Sequence, residues 1–326
     1  MTGSQHGDLI VSKRRLVVTG KGGFVGTALS KAASDAWSDT FDLIDFADPE
    51  TGKSPDLRDP PALERAIAHA KPDALIHLAA VAAPRQAKEE PATAWQVNVM
   101  GTFHLAQSVL RHAPEARFIF AGSSEAYGAT FNESSTPLSE NAVLQPWSAY
   151  GATKAASDIM LRQMAKDGLR ATIFRPFNHT GAGQSPTYVV PAFATQIARI
   201  EAGLQEPVLK VGNLEAKRDF LDVQDVVDAY LMAADCDELM DGLTLNLSTG
   251  SPVAISTLLT MLTDMATVPI TVEVDPDRYL PNTIPIMSGN NAKAREALHW
   301  APNVSLSQTL ARTLDQARAD LNNSSQ

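Results

Sequence analysis

The sequence predicts a doubly wound α/β fold, a parallel sheet covered by helices on both faces, with a smaller C-terminal α/β region beside it. Three observations carry this expectation. Short β-rich runs alternate with longer helical patterns through the first half, as right-handed βαβ units require. A glycine cluster follows the first run and opens a helix. After Pro176 the rhythm gives way to loops rich in Gly, Pro and Asn.

In chain order, strands are expected at 15–19, 41–46, 74–78, 117–121 and 170–174. Helical patterns at 24–36, 61–70, 91–112 and 150–166 lie between them, each long enough to cross back over a sheet. Beyond Pro176, loops at 178–186, 207–213 and 276–285 separate helices near 189–202, 223–236, 256–265 and 292–298. Such loops sit where ligand contacts usually lie, outside the carboxyl ends of strands. The expected organisation is a flexible leader at 1–14, a dinucleotide-type domain at 15–176 and a substrate region at 177–326 sharing one cleft. Some segments of that region, such as 206–248, are expected to return to the sheet.

The composition narrows the function. With 326 residues, 44% of them hydrophobic and 20% charged, the chain lies in the globular range. A net charge of −10 argues against a broad surface for nucleic acid or an anionic membrane, so any phosphate must be met locally. The longest nearly apolar run, 74–84, has 11 residues and carries His77, short of the roughly 20 that a membrane helix needs. Lys13, Arg14 and Arg15 follow rather than precede the short apolar stretch at 9–11, unlike a signal peptide. The one cysteine, Cys236, reads as inert filling on a helix, and its solitude fits a reducing cytoplasm. No metal-ligand set is expected.

The glycine cluster is Gly20-Lys21-Gly22-Gly23-Phe24-Val25-Gly26, with glycines where a backbone must turn tightly and lie against a pyrophosphate at a helix N-terminus. Asp45 falls at the end of the second strand, 19 residues after Gly26, where a carboxylate accepts from adenosine ribose hydroxyls and repels a 2′-phosphate. This favours NAD(H), with NADP(H) as the second possibility. An Asp that merely ends a strand is the alternative.

Tyr150 and Lys154 stand four apart at the start of a helical pattern, so their side chains share one face. An ammonium beside a phenol favours the phenolate, lowering its pKa from about 10 toward the working pH. Ser123, at the end of the preceding strand, can share the same carbonyl oxygen. Together with a nicotinamide these groups form a set for hydride transfer at a carbinol or carbonyl carbon.

With these residues assembled, the chain resembles the extended short-chain dehydrogenase/reductase family, from about residue 15 to 302. The nucleotide turn, His77-Leu78-Ala79-Ala80, Asn98-Val99-Met100-Gly101-Thr102, Ser123, Tyr150 and Lys154 match its pattern in order. The resemblance implies a Rossmann fold in which Gly20, Gly23, Phe24 and Val25 contact the cofactor and Asp56 and Leu57 flank its adenine. It further implies that Leu78, Ala79 and Ala80 line the cofactor, and that Asn98 borders it and holds the active-site backbone. On residue type alone Asn98 is a turn or cap residue.

Segments 122–128, 175–184 and 211–220 are similar to enzymes acting on GDP-linked 4-keto-6-deoxy sugars, the last two more to the reductases than to the sister dehydratases. The implied reaction reduces the C4 ketone of GDP-4-keto-6-deoxy-D-mannose to give GDP-D-rhamnose. The alternative is a 4,6-dehydratase or epimerase with retained NAD(P)+. Glu125 suits the alternative as acid/base for the C5 proton, or else serves as a hydrogen-bonding loop carboxylate. Arg218 can clamp a diphosphate or pair with Asp219 or Asp222, and Asn178 and Lys210 are the neutral and cationic helpers. The chain departs from the reductases at Leu280-Pro281-Asn282-Thr283, which lacks an expected cation and carboxylate; Arg278 is the candidate substitute. Ala182 replaces their usual proline. Relatives pair through the helices carrying Tyr150 and Asn98, which implies a homodimer with Ala155, Ala156, Ile159 and Leu161 as either interface or core.

Overall fold

The computed structural model of the protein describes residues 12–278 and 284–324. The expected leader therefore lies largely outside the described residues. Among those residues, six strands form one wholly parallel sheet: β1 (Arg14–Thr19), β2 (Phe41–Ile44), β3 (Ala74–His77), β4 (Arg117–Ala121), β5 (Ala171–Pro176) and β6 (Leu243–Leu247). The spatial order is β2-β1-β3-β4-β5-β6. After β2 the chain returns across β1 to lay down β3, so the order reverses at the β1/β3 boundary. A crevice opens there at the carboxyl ends of the strands.

The helices start where local chemistry satisfies their first N–H groups. Helix α1 (Phe24–Ser34) follows Gly23 without a side-chain cap. In α2 (Pro60–Ala70), Asp59 accepts from the Ala62 N–H, and two prolines occupy positions where no N–H partner is needed. The Tyr150 helix (Ala149–Lys166) is capped by Ser148, and the helix Val223–Asp235 by Asp222.

The expected helix at 91–112 is three pieces, Pro91–Trp95, a π-helical turn at Gln96–Gly101, and Thr102–His112. Gly101 permits the close approach this needs, since a Cβ there would lie 2.7 Å from the Leu57 Cβ. A further short helix, Pro84–Glu89, was not foreseen.

Two apolar layers sandwich the sheet. One combines β1, α1 and the helix Val223–Asp235 around Leu16, Val18, Leu29, Val226 and Tyr230. The other sets α2 and Thr102–His112 against Val17, Leu75 and Phe118. Residues 223–247 thus pack as part of the sheet layers and not as a cover over the cleft. A third core joins Val189–Glu201, Ile255–Asp264 and the long helix Leu306–Ser324, which the sequence reading did not propose. Cys236 sits half-buried just past Val223–Asp235, against the first layer.

Of the apolar residues on the Tyr150 helix, Ala155 and Leu161 are core and only Ile159 is well exposed, at 55%. One helical face points into the second layer, which removes Ala155 and Leu161 as surface contacts.

Candidate active site

The glycine turn lies at the β1/β3 reversal. Gly20 has φ 73°, and a Cβ on it would fall 2.8 Å from the Ala79 nitrogen. A Cβ on Gly26 would fall 2.2 Å from the Gly20 carbonyl oxygen. The turn therefore folds against the end of β3 only because side chains are missing. No side chain caps α1, which leaves its N-terminal N–H groups facing the crevice, a cradle that fits a pyrophosphate.

Asp45 follows β2 with its side chain 87% exposed, and Lys21 of the glycine turn reaches it, Nζ to Oδ1 3.2 Å. The sequence analysis did not signal this cation beside Asp45. Asp56 is held by Arg58 through both carboxylate oxygens, which keeps its carboxyl at about 2. Leu57 is buried against Gly101.

A directed hydrogen-bond chain supports the crevice wall. The Thr102 hydroxyl donates to the Asn98 carbonyl (2.6 Å), so it accepts from His77 Nε2–H (2.9 Å). His77 Nδ1 then accepts from the Thr19 hydroxyl (2.7 Å), whose oxygen accepts the Ala79 N–H (3.2 Å). Burial, with Lys154 nearby, pushes the imidazole down to about 3, so it stays neutral.

Asn98 uses its whole amide. Its Oδ1 accepts the Val81 N–H (2.7 Å), and its Nδ2 donates to the Val81 carbonyl (3.1 Å) and the Thr153 hydroxyl (3.0 Å). With 2% exposure it holds the backbone of Val81 in place. The π-helical turn brings its side chain and carbonyl to these partners together.

Ser123, Tyr150 and Lys154 converge. Ser123 lies near enough to the Tyr150 phenol to pull its pKa down, and its Oγ accepts the Glu125 N–H (3.1 Å). Lys154 is buried, 4.8 Å from the Phe120 ring centroid and 5.8 Å from that of Tyr150. Its Nζ donates to the Ala121 carbonyl at 2.6 Å. The expected fall in the phenol pKa is not found. Burial drives Tyr150 upward, Glu125 and Tyr188 add to this, and only Ser123 opposes it. Burial also lowers Lys154 to about 8.

Glu125 is raised by burial, against the pull of Ser148 and Arg218. The Ser148 hydroxyl donates to its Oε2 (2.7 Å) and accepts the Gly151 N–H (2.9 Å), so one serine caps the Tyr150 helix and orients the carboxylate. Ser148 went unnoticed, although a serine just before a helix is an ordinary cap signal.

Arg218 donates from Nη1 to the carbonyls of Lys217 (2.9 Å) and Pro285 (3.3 Å), within electrostatic reach of Glu125. Its suggested partners serve elsewhere: Asp219 accepts from Thr249 and Gly250, and Asp222 from Gln224, Thr309 and Arg312. Asn178 is exposed on a short strand beside Phe220. The adjacent His179 ring stacks on Phe24, centroids 6.3 Å apart, another pairing the sequence did not signal. Lys210 is exposed on a separate two-stranded sheet with Gln196 bound to its backbone. Arg278 ends the turn Pro276–Arg278, and its side chain lies outside the described residues.

The chain is similar to known proteins. Residues 51–313 match the family model for GDP-mannose 4,6 dehydratase. The chain is 33% identical to a GDP-6-deoxy-D-mannose reductase of Pseudomonas aeruginosa, over 92% of this chain and 96% of that one. It is 28% identical to a UDP-glucose 4-epimerase of Rhizobium meliloti, over 91% and 94%. Among solved structures it is similar to RMD from Pseudomonas aeruginosa complexed with NADPH, with TM-score 0.85, 30% identity and coverage of 94% and 100%.

Proposed function

The chain belongs to the extended short-chain dehydrogenase/reductases, in the GDP-mannose 4,6-dehydratase family, and from this membership we propose that it is a reductase. It is an NAD(P)-dependent enzyme of nucleotide-sugar chemistry. The reaction we assign is reduction of the C4 ketone of GDP-4-keto-6-deoxy-D-mannose to GDP-D-rhamnose. The observation that carries it is the convergence of Lys154, whose buried ammonium lies 5.8 Å from the Tyr150 ring centroid, and Ser123 on the same phenol.

A nicotinamide cofactor supplies the hydride when bound. Reduction also consumes a proton, and a buried phenol kept protonated is a suitable donor. Tyr150 gives its hydroxyl proton to the C4 oxygen, Ser123 hydrogen-bonds that oxygen, and the Lys154 ammonium lies close enough to favour charge building there. Arg218 holds the diphosphate, with Asn178 as a polar neighbour. Asp45 favours NADH over NADPH through the ribose hydroxyls.

The second reading, a dehydratase or epimerase, is favoured by Glu125, whose raised pKa suits it to proton transfer beside Tyr150. One assay separates them. A reductase consumes added NADH with GDP-4-keto-6-deoxymannose. The alternative releases stoichiometric NAD+ on denaturation and leaves added NADH untouched. Neither result would end both readings.

We further propose a homodimer formed through the exposed Trp95, Met100 and Ile159, and a cytoplasmic location fitting the single cysteine. No helix among the described residues is long and apolar enough to cross a membrane.

A further inference from the structure

We propose that Arg175 is a positioning residue for the reaction, tying the helix that carries Tyr150 and Lys154 to the segments behind Ser123 and Arg218 so that the two walls of the cleft keep one register. The inference deepens the reductase reading and rests on it.

Tyr150, Lys154 and Asp158 are spaced by four on one helix, so they lie along one face. Lys154 fixes that face to β4 through the Ala121 carbonyl. Asp158 fixes it to the neighbouring β5, where the buried Arg175 grips both carboxylate oxygens, Nε to Oδ2 at 2.8 Å and Nη2 to Oδ1 at 3.1 Å. Two attachments one helical turn apart limit how far the helix can slide or roll over the sheet.

The remaining arm of the guanidinium serves the substrate side. Nη1 donates to the Tyr127 hydroxyl (2.9 Å) and to the Glu140 carbonyl (3.0 Å). Tyr127 lies four residues past Ser123, just beyond the turn Ser124–Ala126, and its hydroxyl donates to Asn246 Oδ1 (2.7 Å). Asn246, opposite Arg175 on β6, donates in turn to the carbonyls of Leu138 (2.9 Å) and Asn290 (3.2 Å). Asn290 follows closely on the strand Ile286–Met287, which pairs with Lys217–Arg218.

Replacing a buried ion pair by apolar residues often costs no stability, so the use of this one is to specify geometry. A planar fork holds its partners in fixed directions, which the single ammonium of a lysine does not. Arg162 also donates to Asp158 (2.8 Å), from a half-exposed position, and provides the control.

The test compares full-length variants, each checked for folding by near-ultraviolet circular dichroism. Arg175→Lys should lower kcat for NADH oxidation with GDP-4-keto-6-deoxymannose by about ten- to a hundredfold, the cost of misplacing reacting groups by about an ångström. Its Kd for NADH should stay within about threefold of wild type. Arg162→Gln, which loses an exposed pair, should change kcat less than about twofold. Hydrogen exchange should quicken in Arg175→Lys at 149–158, 138–140 and 286–290 together. Tyr127→Phe keeps the ring and cuts the chain to Asn246; it should lower kcat by about three- to tenfold and quicken 138–140 and 286–290 alone, which decides the matter if Arg175→Lys does not fold. Unchanged kcat in folded Arg175→Lys, an equal fall in Arg162→Gln, or faster exchange in Arg175→Lys confined to one wall would overturn the inference and leave the reductase reading standing. A wild type that leaves NADH untouched would end the reductase reading, and the exchange pattern alone would then decide the inference.

Discussion

Lys154 donates its 2.6 Å hydrogen bond to the carbonyl of Ala121, while its ammonium stands 5.8 Å from the centroid of the Tyr150 ring. The lysine is thus anchored to the end of β4 and stands beside the phenol. Both groups are buried, and burial disfavours the charged form of each, so the phenol rises and the ammonium falls.

Tyr150→Phe removes the proton donor and keeps the ring. Steady-state NADH oxidation should drop at least about a hundredfold, the usual size of a general-acid contribution. Cofactor affinity, read by nucleotide fluorescence, should be unchanged.

The rate should fall with alkaline pH at a point set by Lys154. Below about 8 the ammonium is charged and can favour the developing oxygen charge, and above it that help is lost. Tyr150, raised above its ordinary value, remains protonated through this window. A kcat/KM profile level from pH 6 to 7.5 that declines above about 8 is the expected outcome.

Stability should respond to the same lysine with a defined sign. Its folded value, about 8, lies below its ordinary 10.5, so the unfolded chain binds more protons between these values and wild-type stability rises across that window. At pH 7 the folded state bears the cost of a buried charge. Lys154→Met should therefore raise the denaturation midpoint at pH 7, by on the order of 2 kcal/mol, and the gain should shrink toward pH 10. Paired urea titrations at the two pH values measure this.

Asn98→Ala strands the N–H and carbonyl of Val81 in a buried place. Unfolding free energy should fall by on the order of 3 kcal/mol, and KM for the cofactor should rise as the wall it supports loosens.

Arg218→Ala should raise KM for the nucleotide sugar by about ten- to a hundredfold, the loss of charge-assisted bonds to a diphosphate, with a smaller change in kcat. A change in kcat alone would remove the diphosphate role.

The glycine turn, Tyr150 with Lys154, and most helices were legible because their signals are local. They are a backbone that tolerates φ 73° at Gly20, a four-residue spacing on one helix face, and caps such as Asp59. Other features were not. The amide of Asn98 answers to Val81 and Thr153, and Lys21 meets Asp45 across two strands. β6 lies in the stretch expected to return to the sheet, but its pairing with β5, Leu243 opposite Thr172, spans a long run of intervening chain and had no local signal. The helix Leu306–Ser324, whose face covers Val189–Glu201, opens on a Ser305–Gln308 capping box, a local signal the sequence analysis passed over.

By itself, then, the sequence determined where the glycine turn lies and that Tyr150 and Lys154 share one helix, since the turn and the helix are built from neighbours along the chain. Only the tertiary structure decided their charge states and their partners. Burial turned the phenol pKa upward where an adjacent lysine suggested the reverse, and strand order put Lys21 against Asp45. Desolvation and long-range pairing depend on what the whole chain packs around a group, which no short run of residues records.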